Sequence, residues 1–185
     1  MSKADILRYM RTSSKTDNEQ ILALADKAIE IIKETAVPKT LCRVFDCEVG
    51  EDTVTIDGVT FNSKRLAQNM SGCKKAAVFG ATLGIAVDKR IKVASATDVA
   101  LAMALQAAAA DKIEEVCDNL EETIKAQYGV TLRQRYSPGY FDLDITEQKK
   151  FFSLLQLEKR IGLTLTETYE MVPTKSVTAF IGMEG

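Results

Sequence analysis

The sequence predicts an α+β domain in which a mixed or antiparallel central sheet is packed by helices and preceded by an N-terminal helical arm. Three observations predict it. Several short segments alternate apolar and polar residues with a period of two, and two of them flank a two-residue hairpin turn. Longer segments repeat apolar residues at helical spacing. The strand-like segments are not separated by regular crossover helices, which argues against a doubly wound, Rossmann-like sheet.

Residues 3–10 read as a short helix, followed by a polar link at residues 11–15. Thr16 and Glu19 have the spacing of a capping box, with Thr16 as the cap. The helix behind it carries Ile21, Leu24, Ala25, Ala28 and Ile32 on one face and ends near Ala36, ahead of Pro38. Residues 1–36 thus make the helical arm and residues 37–185 the α+β domain, within one globular unit.

Residues 40–49 read as a strand. Asp57-Gly58 is a favoured hairpin turn, and folding about it puts Val54, Ile56, Val59 and Phe61 on one face. Asn62-Ser63 then caps a short helix over residues 64–70. Ala76-Ala77-Val78-Phe79 has the compact apolar character of a buried central strand. Gly80-Ala81-Thr82-Leu83-Gly84 reads as a tight turn into a helix over residues 85–94. The competing reading is a phosphate cradle at a helix N-terminus, but neither a GxGxxG pattern nor a P-loop Lys-Ser/Thr is present. Residues 87–91 read as a charged helix face, with partner docking as the alternative.

Thr97-Asp98 opens the longest helix, to about Gln127, with Gly129 as its stop. Its first half is rich in alanine, and its second carries an apolar stripe of Ile113, Val116, Leu120 and Ile124. Residues 133–140 are loop-like. Asp144 and Glu147 form a second capping box, opening one helix to about Gly162 with Phe151, Leu154, Leu157 and Ile161 inward. Residues 175–181 close the domain as a strand, with Val177, Ala179 and Ile181 opposite Ser176, Thr178 and Phe180.

The charge balance, 24 Lys and Arg against 26 Asp and Glu, gives no basic footprint for a nucleic acid. No apolar run is long enough to span a bilayer, and no apolar signal core follows Met1, so a cytoplasmic protein without a membrane partner is expected. The sequence contains no histidine, which removes His-based acid–base, triad and zinc chemistry. Cys42, Cys47, Cys73 and Cys117 form no CxxC pair and read as small buried hydrophobes. In an extended strand, Cys42 and Cys47 face opposite sides, which disfavours a redox pair.

One constellation carries chemistry. In Arg135-Tyr136-Ser137-Pro138-Gly139-Tyr140, Pro-Gly makes a tight turn and glycine permits close approach of a ligand. Arg135 offers a planar fork suited to a carboxylate, and Tyr136 and Tyr140 offer aromatic faces to a base or a cation. A surface turn with an arginine and two tyrosines is the competing reading, and the residues by themselves favour it.

Residues 135–140 resemble the Arg-x-x-x-Gly-Tyr motif of the activation (reactivation) domain of cobalamin-dependent methionine synthase. Residues 165–173 and 175–179 look like that family's closing segment, and residues 78–84 with 87–91 are similar to its small stand-alone members. The likeness covers residues 75–183. It implies a module that binds S-adenosylmethionine, the methyl donor for repair of cob(II)alamin, after an electron arrives from a flavodoxin-like donor. It implies action in trans on a cobalamin-binding methionine synthase or a related corrinoid protein. The cobalamin belongs to that partner, since a chain without histidine cannot supply the usual lower axial ligand. By resemblance, Arg135 holds the methionine carboxylate, Tyr140 lines the ligand site, Gly139 permits the turn and backbone groups near Ser137 contact adenine. No catalytic residue or metal ligand is implied, so the chain is expected to be non-catalytic alone.

The large enzymes of that family contribute an acid from an Asp-Trp segment and a tyrosine beyond the closing strand. This sequence has no tryptophan and no counterpart of either. Asp111, Glu114 and Glu115 are the candidate replacement acids. The competing functions are an accessory to another corrinoid methyltransferase and an interaction module whose ligand binding is weakened or lost.

Overall fold

The computed structural model describes residues 1–185. A six-stranded antiparallel sheet forms the middle layer. Its strands are β1 (Lys39–Val49), β2 (Thr53–Ile56), β3 (Val59–Asn62), β4 (Lys75–Thr82), β5 (Thr131–Leu132) and β8 (Ser176–Glu184), in the order β3-β2-β1-β4-β8-β5. A separate two-stranded ribbon pairs β6 (Thr164–Leu165) with β7 (Met171–Val172). No strand pair is parallel, as expected where crossover helices are missing.

Helices cover both faces. On one lie α1 (Lys3–Tyr9), α2 (Glu19–Thr35), α4 (Ile85–Thr97) and α5 (Val99–Tyr128). Ile6, Leu7, Ala25, Ala28 and Ile32 of the first two helices share one apolar cluster with Ala104, Leu105 and Ala108 of α5 and with Phe79 and Ile181 of the sheet. The alanines let these helices lie close together. On the other face lie α3 (Lys64–Asn69), α6 (Gln148–Leu155) and α7 (Leu157–Ile161). There Phe61, Phe151 and Phe180 are fully buried and meet edge-on or tilted, with ring centroids 4.2–5.7 Å apart. No helix is long and apolar enough to cross a membrane.

The hairpin register is the expected one: Val54 pairs with Phe61 and Ile56 with Val59 across the Asp57-Gly58 turn. Ser63 caps α3 by accepting the Leu66 N–H at 2.9 Å. Cys42 packs against the first cluster while Cys47 lies in the second, so the two face opposite sides of β1. All four cysteines are free, and burial pushes the thiols of Cys42 and Cys47 up to about 11 and that of Cys117 up to about 12.

Three local expectations are corrected. Asn18, not Thr16, caps α2: its Oδ1 accepts the N–H groups of Gln20 and Ile21, while Thr16 only supports Asn18. A shorter asparagine loop reaches both orphan donors at once. The turn expected at residues 80–84 begins only after Thr82, because β4 runs on through Gly80. Gly80 is there for close packing: a Cβ would lie 2.7 Å from Leu157 Cδ2. The helix expected from Asp144 to Gly162 is a 3₁₀ turn at Ile145–Glu147 followed by two short helices, broken where Gln156 adopts a left-handed backbone with φ of 53°. The break lets Leu155 and Leu157 both turn into the core.

Phe61→Ala leaves a cavity where three rings meet. It should lower the unfolding free energy in urea by about 3–5 kcal/mol, with an unchanged slope.

Candidate functional site

The residues singled out in sequence come together where the sheet ends. Strand β8 is paired along its length with β4 on one side. On the other side it meets β5, then Arg133 N–H donates to Gly182 O, and Tyr136 and Phe180 exchange hydrogen bonds of 3.0 and 2.9 Å. Past Tyr136 the chain leaves the sheet. Pro138 has no N–H to donate, and a turn closes from Tyr140 N–H to Ser137 O at 3.3 Å. Gly139 sits at its third position with φ of +90°, the signature of a type II turn. Its own N–H donates to Leu143 O at 2.8 Å, and an added Cβ would lie 3.0 Å from Ile145 Cδ1.

Where the loop departs, a groove of about 1290 Å³ opens. Arg135, Tyr136, Ser137 and Tyr140 line it, together with α3, α5 and the Thr168–Thr178 region. The predicted residues occupy unequal positions. Tyr140 is 65% exposed at the rim, beside the exposed Phe141 and Ile145. Tyr136 is buried: its ring stacks on Phe141 at 5.9 Å, and its hydroxyl donates to Asp142 at 3.3 Å. Its aromatic face is therefore committed largely to packing. Ser137 contributes backbone to the turn and half-exposed wall.

Arg135 is the electrostatic centre. Its guanidinium donates to Glu114, Asp118 and Glu121 of α5, each at 2.8 Å. The three acids are spaced four and three apart, which puts them on one stripe of the helix. Burial pulls the Arg135 pKa down, but the hydrogen bond to Asp118 and the charges of Glu121 and Glu114 outweigh it and raise it overall. Burial raises the Glu121 pKa; Arg135 opposes that and neighbouring Asp118 adds to it. One cation serves three carboxylates, so the cluster keeps a negative excess.

Among the candidate replacement acids, Glu114 lines the groove. Asp111 and Glu115 turn the other way: Asp111 accepts the Ser2 N–H at 2.9 Å, and Glu115 pairs with the Met1 ammonium. Sequence reasoning missed Asp118 and Glu121, although their spacing from Glu114 was readable. It also missed Gln148, which lies at the groove floor with its Oε1 accepting the Thr178 hydroxyl at 2.7 Å. No sequence signal marks that pair, since the two residues are 30 apart and meet only through the fold.

Asp142 ties the loop to α3. It accepts from the Ser63 hydroxyl at 2.5 Å and from the Arg65 N–H at 3.1 Å. The Ser63 hydrogen bond foremost, with backbone N–H groups, holds its carboxyl below its ordinary value of 3.8.

The family model described as "Vitamin B12 dependent methionine synthase, activation domain" matches residues 66–184. Among solved structures, a crystal structure of the MetH reactivation domain bound to AdoHcy superimposes with a TM-score of 0.67 at 19% identity, covering 90% of this chain and 65% of that one. The present chain thus spans just under two thirds of the length of the solved domain. No curated protein sequence matches.

Gly139→Ala forces a side chain into a positive-φ position against Ile145, and should destabilise the protein by about 1–2 kcal/mol, read as a lower melting temperature. Asp142 has a folded pKa below its unfolded one, so its contribution is present above the ordinary carboxylate range and is lost as pH falls through it. The melting temperature should therefore drop on acidification below about pH 5, and Asp142→Asn should flatten that drop.

Proposed function

The chain belongs to the activation-domain family of vitamin B12 dependent methionine synthase, and from that premise we propose that its groove binds S-adenosylmethionine for the reductive reactivation of a cobalamin protein. The observation that carries this reading is the Arg135 cluster. An amino-acid head group brings a carboxylate and an ammonium together, and S-adenosylmethionine adds a sulfonium. Arg135 with Glu114 and Glu121 presents the complementary cation and anions in one place on the groove wall, and Asp118 pairs with Arg135 beside them.

Binding is then an exchange of partners. The ligand carboxylate takes the fork of Arg135, and carboxylates released from Arg135 turn to the ammonium and sulfonium. Glu114 fills the part of the acid missing from the sequence pattern, and the negative excess of the cluster suits a ligand with two cationic groups and one anionic group. Tyr140, Phe141 and Ile145 supply exposed apolar surface at the rim for the nucleoside.

In this reading the chain acts in trans. The partner protein holds the cobalamin, a flavodoxin-like donor reduces it, and the bound S-adenosylmethionine supplies the methyl group. The residues of this chain bind and orient the donor, and none of them moves a proton or forms a bond. The comparison structure supports the ligand class, since its reactivation domain holds AdoHcy.

Calorimetric titration tests the reading. S-adenosylmethionine should bind saturably, alone or in the presence of the cobalamin partner, and Arg135→Ala should weaken it by about 2 kcal/mol, as expected for a lost charge-assisted contact. Unchanged affinity in that variant would remove Arg135 from the site. If no binding occurs even with the partner, the chain is an interaction module that retains the fold alone.

A further inference from the structure

The charged stretch at residues 87–91 is divided by the fold. Val87 and Ile91 are buried in the first apolar cluster, and Lys89 and Arg90 are exposed. Asp88, in the first turn of α4, reaches the segment that leads into β8. Its two carboxylate oxygens accept the Thr174 N–H at 2.7 Å and the Thr174 hydroxyl at 2.8 Å. Two bonds from one side chain to one residue fix both the position and the orientation of that residue.

Thr174 is the corner between the β6–β7 ribbon and β8. The ribbon has only two residue pairs, too few to hold its own place. Its other hydrogen bonds stay local: Thr166 N–H donates to Glu170 O, Tyr169 N–H to Thr166 O, and the Ser176 hydroxyl to Pro173 O. The pair from Thr174 to Asp88 reaches a helix of the body. At the tip, Tyr169 meets Lys149 of α6, whose Nζ lies 4.9 Å from the ring centroid. Tyr169, Met171, Val172 and Thr174 form part of the groove wall, whereas Asp88 does not line the groove.

We propose that Asp88 is a positioning residue for the ligand groove: through its paired hydrogen bonds to Thr174 it latches the ribbon to α4 and holds that wall in its binding arrangement before a ligand arrives. A wall placed in advance costs the ligand no ordering. Without the latch, only the fraction of molecules with the ribbon in place binds, and the apparent dissociation constant rises by the inverse of that fraction. Thr174 is exposed, so water takes over its donors when the latch is removed and the core stays intact.

Asp88 also carries a charge, and two other effects follow from it. A negative group suits the first turn of a helix. Burial lowers the Lys175 pKa and the Asp88 charge opposes that. Asparagine separates the charge from the latch. It is neutral, but its oxygen accepts the Thr174 N–H and its amide donates to the Thr174 hydroxyl oxygen.

The proposal rests on the adenosyl-ligand reading for its ligand, and one of its two measurements needs no ligand. S-adenosylhomocysteine is titrated, with the cobalamin partner present, into the unmodified protein, Asp88→Ala and Asp88→Asn. In the same three proteins without ligand, a glutamate-specific protease reads the opening of the ribbon by cleavage after Glu167 and Glu170, both exposed. Asp88→Ala should weaken binding and speed cleavage, each by about tenfold, while the melting transition stays in place, since alanine suits a helix. Asp88→Asn should stay within about twofold of the unmodified protein in both. If Asp88→Asn behaves as Asp88→Ala does, the charge and not the latch is responsible, and the proposal falls. Unaltered affinity or unaltered cleavage in Asp88→Ala also overturns it and leaves the adenosyl reading standing. Failure of the unmodified protein to bind overturns the adenosyl reading and the positioning role with it.

Discussion

Two reciprocal hydrogen bonds between Tyr136 and Phe180 decide where the groove lies. They are the last tie between the loop and the sheet before the chain turns away. Behind them, β8 is fixed on both faces, with Ala179 and Ile181 in one apolar cluster and Phe180 in the other. In front of them the strand keeps β4 on one side but has lost its neighbour on the other. A sheet edge normally has to be covered or blunted; here the Pro138-Gly139 turn holds the covering chain back and leaves a gap of ligand size. Arg135 precedes the tie and points to α5, while Ser137 follows it and starts the turn. The same short segment thus supplies the charged wall and opens the neutral floor.

The charged wall follows from a helix that is long enough to pass the end of the sheet. Glu114, Asp118 and Glu121 share one stripe of α5 because of their spacing, and this stripe faces Arg135. A half-buried guanidinium without acids would be costly, and three acids without a cation would repel one another. Each side makes the other tolerable. The acids remain partly exposed, so solvent screens them and the cluster can rearrange without unfolding the helix.

Much of this architecture was readable from local chemistry. The Asp57-Gly58 hairpin, the Ser63 cap, the opposed Cys42 and Cys47 and the alternation of residues 176–181 are all set by periods of two or by turn residues, which act over a few positions. The failures share a cause: tertiary contacts that override local signals. Gly80 looked like a turn glycine and is a packing glycine, because Leu157 lies against it. The segment after Asp144 looked like one helix and is broken at Gln156, because Leu155 and Leu157 both serve the core. In the groove, Arg135 and Tyr140 stood out as residue types suited to a ligand. The carboxylates that engage Arg135 come from 14 to 21 residues away. Thr178 and Gln148 are ordinary strand and helix residues that meet only through the fold. Sequence showed the chemistry of the loop, and only the fold showed what stands around it.

On the function proposed above, this division also fixes what each end of the groove contributes. Ion pairs formed with the ligand at Arg135 replace ion pairs that already exist within the protein, so the net gain there is small however short the contacts are. Truncating Arg135 still costs affinity, because the ligand carboxylate then meets three protein carboxylates with no cation between them, and that repulsion is distinct from the worth of the ligand contact. The charged wall therefore orients the head group and rejects ligands of the wrong charge, whereas net affinity comes from the apolar rim of Tyr140, Phe141 and Ile145.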